Sequence, residues 1–248
     1  MADALRLGVI GDVHARFDRL DVVLQHLHAG PPLDAVLLVG DVSHDPPWAE
    51  RATSHDAQRA SFAGVLHHIE AALGLAPFFV PGNHDPRDIP GPGNLDGRLQ
   101  TLDFVRIFGI GGAGPGRFGF PYEWDEPEIE AIDVPPCDVL LCHCPPHDTP
   151  LDALHRRRGH VGSTAIRAHA LAHRGVLLCG HIHESAGFHL LGDCLCVNVG
   201  ALGEPFGRAC VGRLEIHREA DGGLRYEAWL TELPSGAARR ATHRVLPC

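Results

Sequence analysis

Short apolar runs that end at turn residues recur along most of the chain. They are rich in Val, Leu, Ile or Phe, which is typical of strands buried on both faces, and they span residues 5–10, 35–39, 77–80, 105–110, 139–142 and 176–179. Amphipathic stretches at residues 18–29 and 48–73 lie between the first three runs and predict helices. The resulting β-α-β-α-β order predicts an α/β fold.

The pattern changes toward the C-terminus. A further helix is predicted at residues 163–173, with Ser163 as its N-cap. After Gly187 the chain alternates between apolar and polar residues, which predicts mostly antiparallel strands at 189–191, 195–199, 209–216 and 224–230.

Two long loops rich in Gly and Pro, residues 86–97 and 111–127, interrupt the predicted elements. Loops of this length in a compact domain usually carry function. No composition shift marks a linker, so we predict one domain over residues 1–248. Its motif-bearing core covers residues 5–200, and a β-rich completion covers residues 201–248.

The composition, 44% hydrophobic and 21% charged, is that of a globular protein. No apolar run approaches the roughly 18–20 residues that a membrane-spanning helix needs. The first residues lack a basic segment and a cleavage site, so we expect a cytoplasmic protein. The cysteines in apolar runs agree, because they are expected to be buried, reduced thiols: Cys142, Cys144, Cys179, Cys194 and Cys196.

The charge balance argues against a nucleic-acid partner. Acidic residues outnumber basic ones by 31 to 21, the net charge is −10, and every basic residue is Arg. Such a surface repels a nucleic-acid backbone overall, although a local site can still bind a phosphate. The arginine run at 156–158 is expected to be a solvated face.

Polar clusters follow five of the predicted strands directly. Because ligands bind outside the carboxyl ends of strands in open α/β sheets, these segments are expected to converge on one site. Their carboxylate, amide and imidazole groups suit divalent ions such as Mn, Fe and Zn, and their number implies two ions. The clusters are Gly11-Asp12-Val13-His14, Gly40-Asp41, Gly82-Asn83-His84-Asp85, His143 and Gly180-His181-Ile182-His183.

In order and spacing these clusters resemble the calcineurin-like metallophosphoesterase superfamily, whose motifs read D-x-H, G-D, G-N-H-[DE], H and G-H-x-H. The resemblance implies a four-layer α/β/β/α sandwich, in which two mixed β-sheets are flanked by helices. The segments after His143 resemble the branch of class III-type phosphodiesterases and metallophosphoesterase-domain proteins, through Pro145-Pro146, Asp148, Gly162-Ser163, Glu184 and Gly187.

The resemblance also implies two ligand sets. Asp41 belongs to both, since its two oxygens can bridge ions about 3.5–4 Å apart. The first ion is assigned to Asp12, His14, Asp41 and His183, and the second to Asp41, Asn83, His143 and His181.

The implied reaction is attack on phosphorus by a hydroxide that bridges the two ions. His84 directly follows a ligand but is not needed as one, so the resemblance makes it the acid at the leaving-group oxygen. Asp85 is expected to orient His84. The implied cofactors are therefore two divalent transition-metal ions, and the implied partner is a small phosphoester.

Departures from the family pattern bear on the substrate. Protein serine/threonine phosphatases of this superfamily carry an Arg soon after the second Asp, whereas the segment here continues from Asp41 without one. Arg87 lies near the third motif but not in the usual place. Because a monoester dianion favours Arg clamps and a diester monoanion needs less positive charge, we predict a phosphodiesterase for small or cyclic nucleotide-type diesters.

Three alternatives stay open. The protein is otherwise a broad phosphomonoesterase, a metal-dependent nuclease that the charge disfavours, or a protein-interaction scaffold with little activity. Scaffolds of this superfamily have lost the acid His, whereas His84 and all seven ligands are present here. The oligomeric state is open.

Several residues near the motifs are candidates for substrate contact: His44, Arg87, Arg117, Asp148 and Ser163. His44, Asp45, Asp148, His160 and Ser163 either line the cleft or serve as caps and surface residues. The aromatic residues of the second loop either bury an edge of the domain or stack on a nucleobase: Phe118, Phe120, Tyr122 and Trp124.

Overall fold

The computed structural model describes residues 4–155, 159–203 and 208–247. The arginine run at 156–158 lies outside them. The strands are β1 (Ala4–Ile10), β2 (Ala35–Leu38), β3 (Phe78–Phe79), β4 (Leu99–Leu102), β5 (Val105–Ile110), β6 (Val139–Cys142), β7 (Ala153–Leu154), β8 (Gly159–His160), β9 (Gly175–Cys179), β10 (Gly187–Leu191), β11 (Cys194–Asn198), β12 (Ala209–Arg218), β13 (Leu224–Leu233) and β14 (Ala237–Val245). The helices are α1 (Phe17–Ala29), α2 (His55–Leu73), α3 (Glu126–Glu130) and α4 (Thr164–Ala172), with short 3₁₀ helices at Trp48–Thr53 and His183–Ser185.

Two six-stranded mixed sheets form the centre of the fold. The first has the order β14-β13-β12-β1-β2-β3, and the second has the order β10-β11-β9-β6-β5-β4. Strands β1, β2 and β3 are parallel, as are β5, β6, β9 and β11, whereas β12, β13 and β14 pair antiparallel. The motif-bearing strands therefore run in parallel within each sheet, so their carboxyl ends meet.

Successive side chains of a strand point to opposite faces of its sheet, and the buried apolar side chains form three cores. Leu7 and Leu37 pack between the two sheets, whereas Ile10 and Leu38, on the opposite face of the first sheet, pack against α1 and α2. Helices α3 and α4 cover the outer face of the second sheet, where Ile166 is fully buried. The predicted four-layer α/β/β/α sandwich is confirmed.

The region 48–73, predicted as one helix, is divided at Ser54. Thr53 Oγ1 and Ser54 Oγ both donate to the Glu50 carbonyl oxygen, at 3.0 and 2.7 Å. Short hydroxyl side chains compete in this way with the helical hydrogen bonds of the backbone. Helix α2 therefore begins at His55, and it ends at Gly74, which has a left-handed φ of 70°.

The cysteines of the described residues are all buried and none forms a disulfide: Cys137, Cys142, Cys144, Cys179, Cys194, Cys196 and Cys210. Burial raises the pKa of the Cys142 thiol well above its usual range, as it does for Cys179. The expectation of buried thiols is confirmed. None of the helices in the described ranges is long and apolar enough to cross a membrane.

Candidate metal centre

The five strand-end segments meet in one cluster of side chains. Within the described residues, three groups have potential ligand atoms that all lie within 4.8 Å of one another. One group is His14, Asp45 and His84. The other two, called the first and second groups below, share Asp41, which is almost completely buried. They are Asp12, His14, Asp41 and His183, and Asp41, His143 and His181. The structure thus brings together the two sets that the sequence predicts, with the predicted shared carboxylate.

Tight backbone turns place these side chains. Asp12, Asp41 and His181 have positive φ values of 49°, 51° and 67°, a conformation that costs free energy for a non-glycine residue and is concentrated at functional sites. The glycines beside them allow close approach. A Cβ on Gly82 would lie 2.0 Å from Asp41 Oδ1, and one on Gly180 would lie 2.3 Å from Asp12 Oδ2.

The first group contains oxygen and nitrogen atoms that face one another. His183 Nε2 lies 3.0 Å from Asp12 Oδ1, and both Asp12 oxygens accept from the His181 backbone N–H at 3.1 Å. His14 Nε2 is buried without a hydrogen-bond partner, and it lies 3.9 Å from Asp41 Oδ2. A cation between these atoms would satisfy the orphaned nitrogen, so the donor set fits a divalent ion.

The second group also contains oxygen and nitrogen atoms that face one another. His143 Nδ1 donates to the Val39 carbonyl oxygen at 2.7 Å, which leaves Nε2 as the lone-pair nitrogen of the neutral ring. That Nε2 lies 2.9 Å from Asn83 Oδ1 and 3.4 Å from Asp41 Oδ1. A lone pair that faces two oxygens needs a proton or a metal ion between them, so these residues also fit a divalent ion.

The pKa values within the protein follow from this crowding. Burial lowers the pKa of His143, but the Asp41 carboxylate outweighs burial and raises it to about 9. Burial would raise the pKa of Asp41, yet the imidazoles of His143 and His84 hold it well below its usual range. Burial and the neighbouring His143 lower the pKa of His181 to about 3, so His181 is the neutral imidazole that a metal requires.

The family model for calcineurin-like phosphoesterases matches residues 5–185. The chain belongs to the calcineurin-like phosphoesterase family. An uncharacterized protein of Methanocaldococcus jannaschii is 31% identical over 183 residues, which cover 66% of this chain and 76% of that protein. Family membership and the Asp/His cluster together support a metal-dependent phosphoesterase.

Solved structures extend the likeness to nearly the whole phosphoesterase chain. One crystal structure, at 17% identity, has a TM-score of 0.61 and covers 96% of this chain and 98% of that chain. Vps29 from Chaetomium thermophilum has a TM-score of 0.45 at 14% identity, covering 98% of this chain and 100% of that chain. A protein serine/threonine phosphatase from Saccharomyces cerevisiae has a TM-score of 0.42 at 12% identity, covering 98% and 81%. The first of these supports the calcineurin-like fold alone.

His84 of this phosphoesterase lies beside the metal groups. Its backbone N–H donates to Asp41 Oδ1 at 2.9 Å, and its carbonyl oxygen accepts from Gln58 Nε2 at 2.7 Å. Its Nδ1 contacts a carboxylate oxygen of Asp45, whose other oxygen lies 3.0 Å from His14 Nδ1. Burial lowers the pKa of His84, but Asp41 and Asp45 outweigh burial and raise it, which favours the protonated ring.

The expected role of Asp85 as the residue that orients His84 is wrong. Asp85 is completely buried and accepts from the backbone N–H groups of Val42, Ser43 and Gly82, at 2.8 to 3.1 Å. These amides satisfy the carboxylate beneath the loop, away from the His84 ring. Asp45 orients the ring instead. The sequence alone left Asp45 between a cleft role and a surface role.

Gln58 is a further positioning residue that the sequence analysis missed. It lies on α2, far along the chain from the motifs, and its side chain is buried. The only signal in the sequence is a polar residue on a predominantly apolar helix face.

The residues predicted to contact substrate have different surroundings in the structure. The Ser163 hydroxyl caps α4 by accepting from the Ile166 N–H, and it donates to Glu126 Oε2, so Ser163 has the capping role. The guanidinium of exposed Arg87 lies 4.8 Å from the Tyr122 ring centre. That of Arg117, also exposed, lies 5.5 Å from the Phe118 ring centre.

His44 and Asp148 each follow a motif residue closely along the chain, Asp41 and His143 respectively. The His44 backbone N–H donates to Ser61 Oγ at 3.1 Å, which fixes the segment after Asp41 to α2. Asp148 is exposed, with Oδ1 3.8 Å from His160 Nε2. Neither contact includes a metal-group side chain.

Proposed function

We propose that this protein is a two-metal phosphodiesterase that hydrolyses small nucleotide-type diesters, linear or cyclic. The observation that carries the proposal is one buried carboxylate, Asp41, that joins two potential ligand groups beside His84. Two ions held by a shared carboxylate can stabilise the attacking and the leaving oxygen of an in-line displacement at phosphorus, and an adjacent imidazole can donate a proton to the leaving oxygen.

The residues that would hold the ions are those of the two groups, with Asn83 added to the second. When bound, ions of the Mn, Fe or Zn class would polarise the phosphoryl oxygens and activate a water molecule for attack. The protein supplies the fixed geometry. The short turns and buried hydrogen bonds hold each ligand in place before substrate arrives.

His84 would supply the proton that the leaving oxygen needs. Its backbone is held by Asp41 on one side and by Gln58 on the other, and its ring nitrogen Nδ1 contacts Asp45. The Asp45 carboxylate keeps the ring protonated, since an adjacent negative charge favours the charged imidazole. A positioned acid of this kind contributes about 10²–10⁴-fold in rate.

The arginine contacts favour a diester over a monoester. A monoester dianion is best bound by a guanidinium fork, which forms two parallel hydrogen bonds. Arg87 and Arg117, the two arginines predicted near the site, have their guanidinium groups over the rings of Tyr122 and Phe118 instead. Asp12 and Asp41 would offset half of the charge of two divalent ions, and without a guanidinium fork from Arg87 or Arg117 the centre suits the single negative charge of a diester.

A matched pair of nitrophenyl substrates tests the proposal. Methyl p-nitrophenyl phosphate and p-nitrophenyl phosphate have the same leaving group and differ only in ester number. With Mn²⁺ added to metal-stripped protein, we expect kcat/KM for the diester to exceed that for the monoester by about tenfold or more, equivalent to about 1.4 kcal/mol.

The opposite preference would favour the phosphomonoesterase. Hydrolysis of neither substrate by the metal-loaded protein would favour the protein-interaction scaffold.

A further inference from the structure

Two aromatic side chains stand beside His84 and form what we call the aromatic corner, Trp48 and Phe120. The ring centre of Phe120 lies 4.2 Å from that of His84, with 36° between the ring planes. Trp48 lies 6.3 Å from Phe120, and its plane is nearly perpendicular at 84°. The side chain of Trp48 is 67% exposed. A large apolar ring is thus presented to solvent at the edge of the metal cluster.

Separate segments hold the two rings in place. Trp48 opens the 3₁₀ helix that follows Pro46-Pro47, and Pro46 is buried beneath it. The ring constraint of two consecutive prolines limits the backbone before Trp48.

Phe120 lies in the loop 111–127, which is anchored on both sides of its tip. Buried Tyr122 donates through its backbone N–H to the Asn83 carbonyl oxygen at 3.2 Å, and Trp124 Nε1 donates to the Gly111 carbonyl oxygen at 2.9 Å. Tyr122 and Trp124 therefore bury an edge of the domain, whereas Phe120 reaches the site. Two rings fixed from independent segments make a preorganised surface.

We infer that the aromatic corner binds the flat ring of the substrate's leaving group, which in a nucleotide-type diester is the nucleobase. This inference rests on the proposed function. The side of the site is fixed by His84, because the acid must lie next to the leaving oxygen and Phe120 contacts the acid's own ring. Stacking on an aromatic side chain is available to every base.

This placement of the nucleobase defines which of the two phosphorus–oxygen ester bonds is cleaved. A water molecule provides the oxygen that bonds to phosphorus, the phosphorus–oxygen bond to the nucleoside breaks, and the departing oxygen takes the proton of His84. For a linear diester the products are the free nucleoside and the monoester of the other alcohol. Cleavage on the other side would instead give the nucleoside monophosphate.

One substrate distinguishes these directions. Adenosine 5′-(methyl phosphate) can release adenosine with methyl phosphate, or methanol with adenosine monophosphate. We expect adenosine release to predominate in the Mn²⁺-loaded protein. Trp48→Ala should shift the product ratio toward methanol by about fivefold or more, since stacking contributes on the order of 1–3 kcal/mol per base. Trp48→Phe should restore most of the ratio.

Trp229→Ala is the matched control, because Trp229 lies on β13, where its ring packs under the guanidinium of Arg240 from β14. Its product ratio should equal that of the parent. Phe120→Leu provides a second variant of the corner and should shift the ratio in the same direction as Trp48→Ala.

An unchanged product ratio in both corner variants would overturn the inference while leaving the proposed phosphodiesterase intact. If the parent cleaves neither bond, the proposed function fails, and adenosine binding by equilibrium dialysis decides the inference separately. Binding that is lost in Trp48→Ala but kept in Trp229→Ala would support the corner. Binding that is absent, or equal in the two variants, would overturn it.

Discussion

The carboxylate of Asp45 contacts two imidazoles, those of His84 and His14. One oxygen contacts His84 Nδ1, and the other lies 3.0 Å from Nδ1 of His14, a residue of the first metal group. Burial would raise the pKa of Asp45, but hydrogen bonds to both imidazoles outweigh burial and hold it below its usual range. One carboxylate therefore orients a potential metal ligand and favours the protonated form of the neighbouring His84 imidazole.

His84→Asn should retain the metal ions and lose catalysis. The imidazole is outside the ligand sets proposed for the two ions, so its loss removes only the proton donor. The rate should fall by about 10²–10⁴-fold for an alkyl or ribosyl leaving group. The fall should be smaller for nitrophenolate, which leaves without a proton.

The measurement is kcat on both substrate types, with metal content determined in parallel. Full activity of the variant on the poor leaving group would exclude His84 as the acid.

Among the elements, the loops after β2 and β3 depend on each other. Asp85, in the second of these loops, accepts three backbone N–H groups, two of them from the first loop. The contact fixes Asp41, which both groups share, relative to Asn83, which is proposed for the second group. The two strands alone could not set this distance, because β3 is only two residues long.

Asp85→Asn should destabilise the protein by about 1–3 kcal/mol, because the amide nitrogen would face backbone donors in a buried site. Urea unfolding measures the change in the free energy of unfolding. Asp88→Asn in the same loop is the control, since Asp88 is exposed and pairs with Arg59. Exposed ion pairs contribute roughly 0–1 kcal/mol. Equal changes in the free energy of unfolding in the two variants would contradict the role of Asp85 in joining the loops after β2 and β3.

The β7–β8 hairpin contains a pH-dependent contact. His160 Nδ1 lies 2.6 Å from Asp152 Oδ1. The hydrogen bond to Asp152 raises the pKa of His160. For Asp152, burial acts in the opposite direction, but His160 and the backbone N–H groups of Thr149 and Gly162 outweigh it and lower the pKa.

His160→Gln should lower Tm most between about pH 4 and 6.5. Because the folded pKa of His160 is raised, its stabilisation is complete below the unfolded value of about 6.5 and is lost as pH rises through the folded pKa. The carboxylate's stabilisation is present above about pH 3.9 and is lost as pH falls through its lowered folded pKa.

Thermal unfolding in EDTA, from pH 4 to 9, tests this dependence without a metal contribution. His155→Gln, on the exposed turn of the same hairpin, is the control. A Tm difference between parent and His160→Gln that stays constant with pH would contradict the account.

Helices and strands could be predicted from the sequence where the burial of apolar side chains alone determines them. Strands β5 and β6 occupy the predicted residues because their apolar runs face a core on both sides. Strand β14 was missed, because its residues are mostly exposed and it is defined by pairing with β13 rather than by apolar alternation. Helix α3 was missed as well, since it spans only five residues and depends on a capping box between Asp125 and Glu128.

At the scale of the whole molecule, four of the five motif-bearing strands lie in the interior of a sheet, and the fifth, β3, lies at the edge of the first sheet. Strands β1 and β2 are interior in the first sheet, and β6 and β9 are interior in the second. The potential ligands were predictable because each follows a strand that burial identifies. Asp45, Gln58 and Trp48 were not, since their importance arises from contacts between segments that only the packed sheets bring together.

We expect Asp41 to join two metal sites. Elemental analysis of metal-stripped protein after reconstitution with excess Mn²⁺ and removal of free ions tests it most directly, on the parent and on Asp41→Asn and Asp12→Asn. We expect two ions per parent chain, and a larger loss in Asp41→Asn than in Asp12→Asn because Asp41 belongs to both groups and Asp12 to one. A parent that saturates at one ion, or variants that each lose the same single ion, would contradict the account.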